Sequence, residues 1–290
     1  MNQADNQTSV TASKQKRLYF SVFVNMMLTL AQVVGGLVSG SLSLISDALH
    51  NFSDAASLLI ALLAVKIGQK KPDLSKTFGY QRAETIAALI NFTTLILIGL
   101  YLVYEAIVRF ISPQPISGWV VVVIAIVALV VDTITAILTY KFYKKSMNFT
   151  AAFLHNLTDA LASVGVIVAG IFILLYDWLW VDTAVTITIA AYVLWQGLRE
   201  IPKAIHLLME GAPYHIDISD IITGVEQLEG VKEIHHVHVW QVNEQLNALE
   251  AHVVVEKNID TESLKKEIKN LLTDSFQIKH STLEFEKSTK

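Results

Sequence analysis

The chain has 290 residues, of which 53% are hydrophobic and only 17% charged, with a net charge of −4 and a mean hydropathy of +0.48. Several runs of about twenty apolar residues in such a composition exclude an ordinary soluble domain and imply a polytopic membrane protein. No cysteine is present, so disulfides are excluded and any metal site must use His, Asp, Glu or other oxygen donors.

Residues 1–16 are polar, rich in Asn, Gln, Ser and Thr, and predict a disordered tail with no cleavable signal peptide. From residue 17 to 208 the pattern predicts six transmembrane helices, at about Leu18–Ser39, Leu42–Ile67, Ala83–Ile111, Gly118–Tyr140, Phe149–Tyr176 and Trp178–Leu198. Basic residues orient them. Lys14, Lys16, Arg17, Lys66, Lys70, Lys71, Lys76, Arg82, Lys141, Lys144, Lys145, Arg199 and Lys203 flank one side, and only Arg109 flanks the other. That places both termini in the cytoplasm. Trp119, Trp178 and Trp180 fall at the opposite span ends, as an aromatic belt requires.

Two heptapeptides in these spans share one pattern. Leu49-His50-Asn51-Phe52-Ser53-Asp54-Ala55 lies in the second, and Leu154-His155-Asn156-Leu157-Thr158-Asp159-Ala160 lies in the fifth. The spacing puts His50 with Asp54, and His155 with Asp159, on one helix face each. The orientation makes the two spans antiparallel, so facing pairs supply two imidazoles and two carboxylates to a tetrahedral metal site. Ionisable groups inside an apolar span are costly and point to function. Asp47, three residues before His50, has Ala152 at the equivalent position of the other repeat. It reads as a support beside the ligands or a group on the ion's route to them, and equally as a helix-terminal acid near the outer surface. Asp132 reads equally as proton relay or structural pair, whereas Asn25, Gln32 and Asn91 read as interhelical hydrogen bonders. The connector Lys70–Ala83 holds Asp73 but no His, which argues against a complete metal site there.

The balance changes near Met209. Residues 1–208 carry fourteen Lys+Arg and eleven Asp+Glu, whereas 209–290 carry eight and fifteen, a net −7 that argues against nucleic acid as a partner. Asp217–Leu228 predicts a helix, Val231–Val242 and Ala248–Glu256 strands, Asp260–Thr273 a helix and Gln277–Glu286 a last strand. The order α-β-β-α-β predicts an α+β domain of ferredoxin-like type, an open sheet with helices on one face. His235, His236, His238, His252 and His280 fall on its three strands. By strict alternation His236 and His238 share a face with Trp240, while His235 points the other way. Five histidines among acids suggest a second zinc site whose ligands spacing alone leaves open.

From Arg17 to Glu286 the chain resembles the cation diffusion facilitator family, in its zinc-transporting branch. The residues that carry the resemblance are Ser46-Asp47-Ala48-Leu49-His50 with Asp54, Phe78-Gly79-Tyr80-Gln81-Arg82-Ala83-Glu84, His155 with Asp159, and His235-His236-Val237-His238-Val239-Trp240. The resemblance implies a zinc/proton antiporter of a bacterial cytoplasmic membrane, embedded in lipid as a homodimer of six-span subunits. Residues 209–290 would form a cytoplasmic domain that binds zinc and assists dimerisation. His50, Asp54, His155 and Asp159 carry over as the transport site, and His235, His252 and His280 as the cytoplasmic one. The helix Asp260–Thr273 lacks the additional His of some relatives, so the cytoplasmic site would have fewer ligands or borrow Glu286. Zn²⁺ would thus be cargo and regulatory ligand, with Cd²⁺, Co²⁺ or Ni²⁺ as alternative cargo. A zinc hydrolase is disfavoured by the lack of an H-E-x-x-H helix or nucleophile, and a pure zinc sensor leaves the intramembrane pairs without a purpose.

Overall fold

The computed structural model describes residues 26–140, 147–243, 245–257 and 259–287, with the side chains of 58, 138–140 and 147–155 outside that description. The tail, the start of the first span with Asn25, the connector holding Lys141, Lys144 and Lys145, and Glu244 therefore lie outside the described residues. Eight helices and three strands are described. They begin with α1 (Met26–Ser39) and continue α2 (Leu42–Gly68), α3 (Ala83–Ile111), α4 (Gly118–Tyr140), α5 (Met147–Tyr176) and α6 (Trp180–Leu208). Helices α2 to α6 are each long and apolar enough to cross a membrane, and the described part of α1 is a shorter apolar helix. The sixth helix runs ten residues past the predicted end at Leu198. The polar stretch after it is still helical in propensity, and Pro202 is accommodated within the helix.

The chain divides into two compact units, one up to Ile60 with Asn91–Arg199, the other Ala61–Ile90 with Glu200 onward. In the first, small residues face inward: Ala106, Ala125, Ala128, Ala169 and Ala190 are fully buried, while Leu97, Tyr101, Ile137, Leu161 and Leu175 face outward. Lipid solvates large apolar side chains as well as a core does, so close backbone approach decides the packing. A Cβ on Gly170 of α5 would meet Val122 Cγ2 of α4 at 2.7 Å. Leu44 of α2, Leu95 of α3, Val121 of α4, Val166 of α5 and Val193 of α6 form one apolar centre.

The break between α1 and α2 falls at Gly40, at φ 72°, where a side chain would strike the Pro115 carbonyl at 2.7 Å. Beyond it, α2 starts against a carboxylate from α6. Asp182, 1% exposed, accepts from Ser41 Oγ at 2.6 Å, Leu42 N at 2.8 Å, Ser43 N at 3.2 Å and Ser43 Oγ at 2.5 Å. The free N–H groups of a helix start, with their partial positive charge, explain the choice of an acid.

The second unit contains α7 (Ile218–Glu226), β1 (Val231–Asn243), β2 (Leu246–Val255), α8 (Thr261–Phe276) and β3 (Ile278–Lys287). The expected α-β-β-α-β order is present. β1 and β2 are antiparallel, β2 and β3 parallel, with β2 central. Asp217 caps α7 and Asp260 caps α8 through their side chains. Ile221 and Val225 of α7 and Leu264, Ile268 and Leu272 of α8 pack on Leu249, Ala251 and Val253. That packing covers one sheet face and leaves the other for polar residues.

Candidate metal centres

A polar stripe runs along α2 on the buried side, through Ser46, Asp47, His50 and Ser53. Its spacing repeats every helical turn, so an otherwise apolar helix presents these groups together. His50 is 4% exposed, and its Nε2 lies 3.6 Å from Asp54 Oδ2 of the same helix and 3.5 Å from Asp159 Oδ1 of α5. The three residues each offer one donor atom within 4.8 Å of the others. These separations are long for hydrogen bonds and close to the edge of a zinc tetrahedron, about 3.3 Å for bonds of 2.0–2.1 Å. The Tyr192 ring of α6 stands edge-on to His50 at 6.1 Å. His155 is placed on α5 one turn before Asp159, but its side chain lies outside the described residues.

Asp47 belongs to a neighbouring network. Gln32 of α1 donates to Asp47 Oδ2 at 2.5 Å, and Asn51 donates to Gln32 at 3.1 Å. Asp47 therefore ties α1 to α2, one turn from His50. Asp132 accepts from Ser163 of α5 at 3.1 Å, and Asn91 accepts from Ser57.

In the connector between α2 and α3, Asp73 serves the loop itself. It accepts from the Ser75 and Lys76 amides and the Ser75 and Tyr80 hydroxyls, all between 2.7 and 2.8 Å. The Ser75 and Tyr80 bonds hold its carboxyl far below the usual carboxylate range. Arg82, at the end of the connector, pairs with Glu210 at 3.1 Å.

The second cluster sits on the open face of the sheet. β1 and β2 pair His235 with His252 and then His238 with Glu250, so β1 carries one extra residue between the two pairs. His236 takes the left-handed conformation, φ 53°, at that bulge. The bulge overturns the expected alternation. The rings of His235 and His236 both stand beside His252, at 5.3 and 5.2 Å between centroids. His252 Nδ1 lies 2.7 Å from Glu286 Oε1, and His235 Nε2 lies 3.3 Å from Glu286 Oε2. These three form the second group able to hold a metal among the described residues. His280 is not with them. It pairs with Ala248, near the other end of β3 from Glu286, and its exposed ring stands edge-on to Phe78 at 5.5 Å. Glu284, opposite His252 in the parallel register, went unnamed from sequence; its Oε2 lies 3.7 Å from His252 Nε2. Glu284 and Glu286 share a face by strand alternation, but only the register shows that His252 meets it.

The hydrogen bond to Glu286, helped by Glu284, raises the His252 pKa, and the reciprocal bond lowers that of Glu286. Zinc needs the deprotonated imidazole, so zinc binding here would displace a proton held more tightly than usual. Zinc affinity of this group is expected to fall as pH falls, and proton release on binding to persist above pH ~6.5. Calorimetry in buffers of different ionisation enthalpy reads this release directly, and none at pH 7 would contradict it.

Comparison with known proteins agrees with two parts. Residues 18–209 match the family model for the cation efflux transmembrane domain, and 213–288 that for the cation efflux protein cytoplasmic domain. The chain is 38% identical over 286 residues to a cadmium, cobalt and zinc/H(+)-K(+) antiporter of Bacillus velezensis, covering 97% of this chain and 91% of that one. It is 36% identical over 273 residues to the zinc transporter ZitB of Escherichia coli, covering 93% and 87%. It is 35% identical over 258 residues to the metal cation efflux system protein CzcD of Cupriavidus metallidurans, covering 89% and 82%.

Proposed function

Because this chain belongs to the cation efflux family, we propose that it exports zinc from the cytoplasm in exchange for protons. The observation that carries this reading is the meeting of buried His50 and Asp159 with partly buried Asp54, from two apolar helices. His155, one turn from Asp159, would complete the shell with a second imidazole. The site would lie in a bacterial cytoplasmic membrane with both chain ends inside, as the basic residues suggest.

An exporter must release what it binds. His50 and His155 lose affinity for metal when protonated, so protons arriving from outside would displace zinc, and zinc from inside would displace the protons. Asp54 and Asp159 would offset the ion's charge in a medium of low dielectric. No covalent bond is made or broken, and we read the chain as no enzyme. Wild-type chain in proteoliposomes should move zinc against an imposed proton gradient, with an opposite proton flux. Zinc uptake that is indifferent to the gradient would overturn proton exchange.

Two imidazoles with two carboxylates in tetrahedral array suit zinc over manganese or magnesium, which prefer more oxygen ligands. Cadmium and cobalt are accordingly alternative cargo, as is nickel. In a competition series, cadmium and cobalt should inhibit zinc flux and manganese should not; a manganese preference would contradict the assigned shell.

The soluble domain would regulate, as one half of a homodimer. Its net −7 repels a twin until zinc at His235, His252 and Glu286 neutralises part of it. Fluorescence distances between the twin domains should shorten on adding zinc, and constant distances would refute the switch.

A further inference from the structure

We propose that His236 and His238, with Glu250 as carboxylate donor, form a further cation site on the open sheet face, taking zinc or a similar borderline divalent ion. This goes beyond the His235–His252–Glu286 group but rests on reading that face as metal-binding. The geometry begins with the rings. An imidazole centroid stands about 3.2 Å from a zinc it ligates, so two on one tetrahedral ion stand about 5.2 Å apart. His236 and His238 stand 5.4 Å apart, edge to face at 75°, against 5.3 Å for His235 and His252 in the first group. Glu250 is opposite His238 in the register, and such partners carry their Cβ atoms about 4.5–5.5 Å apart on one face. Both His236 and His238 are exposed, so water can complete the coordination shell.

His252 cannot serve both ions as it stands. Its Nδ1 faces Glu286 and its Nε2 faces Glu284, so a further ion must draw on donors outside the first group. His236, His238 and Glu250 lie outside that group, and rotation of these exposed side chains would bring their donor atoms to one ion. The bulge supplies the reason they are there. In an unbroken strand His235 and His236 would point to opposite faces, one of them into the α7–α8 packing. The extra residue keeps His235, His236 and His238 together at the cost of a left-handed backbone at a non-glycine residue. Glu250, Glu284 and Glu286 lie across the same face and limit the repulsion between two dications.

The test counts zinc on the full chain in detergent, by equilibrium dialysis and elemental analysis. Asn replaces His236 because it tolerates the left-handed region, and Gln replaces His238. The His236→Asn/His238→Gln pair should bind one zinc ion fewer per chain than wild type, and His252→Gln should independently remove another. If the paired variant binds as many ions as wild type, or if His252→Gln alone removes every ion that the paired variant loses, the further site does not exist. His238→Gln alone leaves the bulge residue intact and should weaken that one ion at least tenfold; unchanged affinity overturns the proposal even if the paired variant misfolds. Asp159→Ala reports on the intramembrane ion, so failure of the transport reading is seen separately.

Discussion

Asp159→Ala is expected to abolish zinc-for-proton exchange in proteoliposomes, by at least about 100-fold. Asp159 is the one described donor that comes to His50 from a different helix, so its loss leaves His50 and Asp54 of α2 without that carboxylate from α5. Even residues that only support metal ligands cost about 10–100-fold when changed, and a ligand costs more. In the proposed shell the Asp159 carboxylate would offset one of the ion's two charges and Asp54 the other, which no neutral side chain can do in an apolar span. Asp159→Asn keeps the volume and one acceptor oxygen but loses the charge, and should fall nearly as far. Asp132→Asn is the informative contrast. Asp132 is also a buried acid at the α4–α5 contact and accepts from Ser163, so a merely structural need for buried acids would make the two variants alike. Asp132→Asn should retain measurable zinc flux. Wild-type exchange by Asp159→Ala would sink the transport site.

Much of this architecture was legible because the relevant signals are periodic and local. Span limits at Leu42, Ala83, Ile111, Gly118 and Tyr140 follow from apolar runs punctuated by Gly and Pro, and the structure keeps them. The His-Asp spacing of α2 and α5 needs only the helical repeat. Sequence failed where one element is read against another. Strand alternation put His235 and His236 on opposite faces, and a single extra residue in β1 cancelled that inference. His280 is carried over by the family resemblance alone, and the β2–β3 register brings Glu284 and Glu286 to the His252 end. Asp73 stands in the sequence only as the acid of a connector without His, and its four local hydrogen-bond donors give it a task in the loop. Loop closure by an aspartate turn and metal ligation call for the same residue, so identity alone cannot separate them.

Asp182 carries no distinguishing signal in the sequence, and its replacement is expected to be the most damaging to stability. As an acid in the first turn of α6, it has a sufficient local explanation in the helix dipole. The structure gives it a second task, capping the start of α2 across 139 to 141 residues of sequence. Ser41 and Ser43 are fully buried, and Leu42 is 2% exposed, so water cannot replace the carboxylate without opening the packing. Asp182→Ala leaves two hydroxyls and two amides without their acceptor, at about 1–3 kcal/mol for a buried group left unsatisfied. These costs overlap because one local opening relieves several of them. A net loss of about 3–5 kcal/mol is expected, as when one partner of a buried pair is removed. Asp182→Asn keeps an acceptor oxygen and should cost about half as much. Denaturant unfolding in detergent reads the difference, and an Ala variant within about 1 kcal/mol of wild type would show that the cap is dispensable. His50 lies two turns along α2 from Leu42, so a frayed start also frees the helix that presents it to Asp159. Zinc exchange should therefore fall in the same order, wild type above Asn above Ala. Should stability fall while exchange stays level, the cap would hold the fold together without setting where His50 stands.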